Sequence, residues 1–128
     1  MATIRAYTTI EQSRKLAEIL PLESADKHWI ILDGAILRAT TYDYFDLREY
    51  NQDKGTFREY IPCWSLAALL STLPDIHLKK YTYDGITKYY ATLIGIRQFN
   101  SKHYDNPVDA CYEMIIHLHE QNQININF

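Results

Sequence analysis

Glycine and proline are both scarce in this chain, with four of each among 128 residues. So few glycines leave no glycine-rich loop that could cradle a phosphate, and no G-x-S-x-G nucleophile elbow is present. The two cysteines, Cys63 and Cys111, form no C-x-x-C spacing. Each lies among apolar neighbours inside a predicted helix, where a thiol packs as a small hydrophobe. A reducing compartment would keep them apart, and the spacing leaves open whether they meet in the core. No apolar run approaches the ~18 residues of a membrane-spanning helix; the longest covers residues 64–70 with Leu73 beyond. The opening Met1-Ala2-Thr3-Ile4-Arg5 has no signal-peptide character. A cytoplasmic protein without a membrane partner is the expectation. A formal charge of −3 supplies no basic field for nucleic acid and is too small to mimic one. Nucleic acid is therefore disfavoured as a partner.

What is present is ordinary globular usage, 47% hydrophobic and 23% charged, in a length that suits one domain over residues 1–128. A first helix should open at Thr8 or Thr9, since Thr8 and Glu11 have the spacing of a capping box, and Pro21 should stop it. Two β-prone runs, residues 29–32 and 35–37, flank Asp33-Gly34, and two more, residues 78–83 and 86–94, flank Asp84-Gly85. Asp-Gly is a preferred two-residue hairpin turn. Tyr81 and Tyr83 alternate with Lys80 and Thr82, as a sheet with one wet face requires.

Two further helices are strongly marked. One is predicted over residues 62–73, with Pro62 in its first turn, Leu66, Leu69, Leu70 and Leu73 at i, i+3, i+4, i+7, and Pro74 as its stop. Apolar nearly all round, it should be central to the core. The other is predicted over residues 106–120, with Asn106 as N-cap, Pro107 next and Asp109 in the first turn. Its inner stripe is Val108, Cys111, Ile115 and Leu118. The order helix, hairpin, helix, hairpin, helix predicts an α+β fold in which an antiparallel sheet, built from two Asp-Gly hairpins, packs against about three helices. Residues 40–60 show no clean period and read as a strand extension or short helix followed by an exposed loop. The tail after Gln123 alternates polar and apolar residues, with Ile124, Ile126 and Phe128 on one side, and could add an edge strand.

Candidate chemistry is sparse. Histidine and carboxylate stand two apart at Asp26 and His28 and again at His103 and Asp105, a spacing that shares one face of an extended backbone. Either pair could hold a metal or act as acid and base, or could be solvated residues at strand ends. His117 and His119 point about 200° apart on a helix and cannot share one ion within the chain. No catalytic nucleophile, metal site or cofactor is assigned. Eleven tyrosines are the compositional oddity. Tyr42, Tyr44, Phe45 and Tyr50 stand among Asp43, Asp46 and Glu49 and suit a protein interface, since tyrosine gives large, rigid, amphipathic contact area. Tyrosine is equally a good half-buried strand residue.

The stretch Ile61-Pro62-Cys63-Trp64-Ser65-Leu66-Ala67-Ala68-Leu69-Leu70, followed by Asn106-Pro107-Val108-Asp109-Ala110-Cys111-Tyr112-Glu113-Met114-Ile115-Ile116, resembles a group of small uncharacterised proteins of gut bacteria and their phages or prophages. Leu20-Pro21-Leu22-Glu23-Ser24-Ala25-Asp26 is similar to that group as well, while residues 40–60 are not. The resemblance implies a phage or mobile-element context and carries no activity with it. The expectation is an accessory protein that binds another protein or itself, homo-oligomers included, without catalysis. The alternative is a small-ligand or nucleotide-binding protein, or an enzyme, that uses His103 and Asp105 beside a tyrosine-lined pocket.

Overall fold

The computed structural model describes residues 5–32, 35–40, 58–95 and 98–121. They form an α+β fold of three α-helices and two antiparallel three-stranded sheets. Helix α1 spans Ile10–Ala17 and a short 3₁₀ turn follows at Leu22–Ser24. Strands β1 (Lys27–Leu32), β2 (Ala35–Thr40) and β3 (Arg58–Cys63) make the first sheet in the order β2-β1-β3. Helix α2 (Leu66–Thr72) leads into β4 (Ile76–Tyr83), β5 (Ile86–Leu93) and β6 (Phe99–Asn100), the second sheet in the order β4-β5-β6, and α3 (Pro107–Glu120) follows. The strands thus divide into two sheets instead of one. Between β4 and β5, Asp84 (φ 53°) and Gly85 (φ 77°) both take positive φ, the signature of the turn whose twist matches its flanking strands. The Asp33-Gly34 turn lies outside the described residues, although Leu32 and Ala35 pair directly across it.

The first helix is capped one residue later than the Thr8–Glu11 spacing suggests. Thr9 is the N-cap: its hydroxyl accepts the Gln12 N–H at 3.1 Å, and the Gln12 side-chain oxygen accepts the Thr9 N–H at 3.0 Å. Glutamine serves as well as glutamate in this box. Thr8 is instead fully buried, its hydroxyl accepting the Trp64 N–H at 3.2 Å and pairing with the Ser13 hydroxyl at 2.7 Å. The Thr8 N–H donates to the Trp64 carbonyl at 2.9 Å, and the Trp29 indole donates to the Thr8 carbonyl at 3.1 Å. A buried polar residue with every group paired costs little and fixes its neighbours.

The helix expected over residues 62–73 is shorter. Pro62 belongs to β3, opposite His28. Among the described residues β3 is an edge of its sheet, where proline is tolerated because a missing N–H can face away from the ladder. The cap is Ser65, whose hydroxyl accepts the Ala68 N–H at 3.2 Å. Asp26 holds that cap in turn, accepting the Ser65 N–H at 2.9 Å and its hydroxyl proton. Leu73 ends α2 in an extended conformation, as the residue before Pro74 should. Although apolar nearly all round, α2 is not enclosed by the core, since Leu70 is 39% exposed and Ala67 is exposed.

The central helix is α3. Asn106 caps it, accepting the Asp109 N–H at 3.0 Å, and the Asp109 carboxylate receives the Arg5 guanidinium and the Gln12 amide. Val108, Cys111 and Ile115 pack with Leu16, Ile19, Leu20, Trp64, Ala68 and Leu69 from α1, α2 and their flanks. Ala110, Met114 and Leu118 pack with Ala91 and Leu93 of β5. The helix therefore buries two stripes, one against the other helices and one against the second sheet.

Ser65→Ala should cost about 1 kcal/mol in urea unfolding, the usual worth of an N-cap, whereas Pro62→Ala should cost less than half of that; equal losses would restore Pro62 to the helix. Burial pushes the Cys111 thiol up to about 12 from 9.0. Since the unfolded thiol ionises first, its contribution to stability is complete below pH 9 and is lost as pH rises toward 12. Cys111→Ala should flatten that alkaline decline in a pH series of unfolding midpoints.

Candidate functional site

The second sheet has one covered face and one open face. Ile76 and Leu78 on β4, and Ala91 and Leu93 on β5, pack toward the core beneath α3. Strand alternation therefore places His77, Lys79, Tyr81 and Tyr83, with Ile86, Lys88, Tyr90 and Thr92, on the opposite face, which is open at the hairpin tip around Tyr83 and Ile86 and closed at its other end, where Thr92 is buried. The register pairs them across the hairpin, Tyr83 with Ile86, Tyr81 with Lys88 and Lys79 with Tyr90.

Beyond β6 the chain continues along β5. The Ser101 N–H donates to the Ala91 carbonyl at 2.8 Å and the Ser101 hydroxyl accepts the Ala91 N–H at 2.8 Å. Tyr104 exchanges two backbone hydrogen bonds with Tyr89, at 2.7 and 2.8 Å. Lys102 and His103 thus oppose the single residue Tyr90, the count of a β-bulge, which re-aims side chains. The bulge lays the His103 ring on that of Tyr90, with centroids 4.6 Å apart and planes 9° apart. Tyr81 meets His103 edge-on at 5.3 Å, and its hydroxyl lies 2.6 Å from His103 Nδ1. The Lys79 ammonium lies 5.8 Å from the Tyr90 ring centroid, within cation–π range. Lys88 pairs with Asp105 at 2.6 Å.

Glu113 of α3 holds the bulge from behind. Its carboxylate accepts the Tyr104 hydroxyl proton and, through both oxygens, the Lys102 N–H at 3.1 and 3.2 Å. Burial, followed by the hydrogen bond to this carboxylate and its negative charge, pushes the Tyr104 phenol well above its ordinary value. The phenol stays a donor throughout the physiological range.

His103 and Asp105 accordingly lie on the same open face but with different partners, His103 with two tyrosines and Asp105 with Lys88. Both are exposed, Asp105 with 82% of its side chain accessible. Asp26 is engaged in capping α2, and His117 stacks on Phe99. Among the described residues no group of three or more histidines, cysteines or carboxylates is placed to hold a metal. Tyr42, Tyr44, Phe45 and Tyr50 lie outside the described residues, as do Ile124, Ile126 and Phe128. Tyr83, Ile86, Tyr90, Lys79 and Glu113 were not marked as site residues by the sequence. The alternation around the Asp84-Gly85 turn could have placed the first four on one face; nothing local ties Glu113 to them.

No protein-family model, curated protein or solved structure matches this chain. Glu113→Ala removes the charged acceptor behind the bulge and should cost about 1.5–3 kcal/mol in urea unfolding, the range for hydrogen bonds to a charged group. It should also abolish the upfield ring-current shift of the His103 imidazole protons in NMR spectra, whereas retention of that shift would show that Tyr81 and Tyr90 hold His103 unaided.

Proposed function

We propose that this chain is a non-catalytic binding protein that captures a protein partner on the open face of β4 and β5. The observation that carries this reading is the clustering of exposed apolar surface. Tyr83 is 78% exposed, Ile86 57% and Tyr81 38%, and the three share one face beside Tyr90 and His103. Exposed apolar side chains scattered singly need no explanation; a contiguous group on a rigid hairpin does. Tyrosine anchors of this kind lose little conformational freedom on binding, because the strands already fix their backbones. The resemblance to small proteins of gut bacteria and their phages supports an accessory role in a phage or prophage setting. A partner met in the cytoplasm, or a second copy, fits the same surface.

The double variant Tyr83→Ser with Ile86→Thr tests this. Affinity capture from the native host should lose the partner retained by the unaltered protein, or the assembly mass in light scattering should fall. Unfolding free energy should change by no more than about 0.5 kcal/mol per site, as for ordinary surface positions. Unchanged capture and mass, or a loss of stability on the scale of a core substitution, would remove this face from the account.

A further inference from the structure

The open face ends at a strand edge. Among the described residues β4 pairs with β5 alone, so one side of its eight-residue backbone has no neighbouring strand. Residues 79–83 are all exposed. An edge of this length presents a row of backbone donors and acceptors that another extended segment can pair with.

The side chains of β4 select what that segment can be. The strand reads Ile76-His77-Leu78-Lys79-Lys80-Tyr81-Thr82-Tyr83, with two lysines, one histidine and no acid, in a chain whose formal charge is −3. Self-pairing is opposed. In a two-fold antiparallel pairing opposed residues share one face of the sheet, so the two most central registers set residue 79 opposite its own copy or residue 80 opposite its own copy, and lysine meets lysine in either. Like charges directly opposite each other destabilise a sheet. Edge lysines are a known guard against such association, and the charge that repels a second copy attracts an acidic strand. Tyr81 and Tyr83 stand on the same edge strand, ready to cover apolar side chains of the added segment.

We propose that the β4 edge accepts an extended, acidic segment of a partner protein as a fourth strand of the second sheet. This rests on the proposed binding face and names the chemistry of what binds there. Backbone pairing would supply affinity, Lys79 and Lys80 would select for carboxylates on the two faces of the added strand, and Tyr81 and Tyr83 would complete the contact.

The test uses two fluorescein-labelled ten-residue peptides, one repeating Glu-Glu-Val-Val and one repeating Lys-Lys-Val-Val so that charges fall on both faces of an extended strand, and a ten-nucleotide thymidine oligomer, each titrated against the full chain by anisotropy. The acidic peptide should bind at least tenfold more tightly than the basic one. The charge-reversal variant Lys79→Glu with Lys80→Glu, its fold checked by circular dichroism, should invert that preference. Bound acidic peptide should slow amide hydrogen exchange across Ile76–Tyr83. Equal affinities overturn the proposal; so does charge-dependent binding that leaves β4 exchange unchanged, and so does tighter binding of the oligonucleotide. The face reading fails separately. If the peptides do not bind but the natural partner is lost with Tyr83→Ser and Ile86→Thr, the edge is wrong and the face stands; if the peptide protects β4 while that variant keeps its partner, the reverse holds.

Discussion

Helix α3 is buried from two directions, and the rest of the molecule is arranged around that constraint. Its Val108, Cys111 and Ile115 stripe closes the core with α1 and α2, and its Ala110, Met114 and Leu118 stripe supports the second sheet. Residues on both stripes are essentially inaccessible, so a shift of the helix by even part of a turn would open a cavity on one side and a clash on the other. The start of α3 is pinned by Asn106 and by the Asp109 carboxylate, which collects both Arg5 and Gln12. The N-terminal segment is thereby tied to α3, and residues distant in sequence share one hydrogen-bond network.

The same helix reaches the candidate site without touching its outer surface. Glu113 holds Lys102 and Tyr104, the backbone between them carries His103, and His103 lies on Tyr90. Core position, bulge geometry and surface ring are thus consecutive links. The outermost residues, Tyr83 and Ile86, lie beyond this chain of contacts at the hairpin tip, where substitution changes what the surface can bind and leaves the packing beneath intact.

Local signals in the sequence correctly indicated element type wherever capping, turns and periodicity agreed. The Asn106-Pro107 helix start and the Asp84-Gly85 turn are both where their residues put them. Proline was the ambiguous signal. Pro62 suits a first helical turn and an edge strand equally, and only its pairing opposite His28 separates the two, a contact that spans more than thirty residues of sequence. Mistaking it for a helix start made α2 seem longer and more central than α3. The division of the strands into two sheets likewise depends on which strand pairs with which, and hydrophobic alternation specifies a face but not a neighbour. For the site, His103 was legible as a candidate because it stands beside a carboxylate. Its actual partners are Tyr81 and Tyr90, brought to it by a bulge, and Asp105 turns to Lys88 instead.

The face that packs beneath α3 and the face proposed to take a partner are the two sides of one sheet. Hydroxyl-radical footprinting of the free protein and of the captured complex reads which side the partner covers. Oxidation of Tyr81, Tyr83 and Ile86 should fall on binding, while that of the exposed Leu22 in the 3₁₀ turn and Leu70 on α2 should be unchanged. Protection confined to Leu22 and Leu70, with Tyr83 and Ile86 oxidised as in the free protein, would contradict a partner on the proposed face.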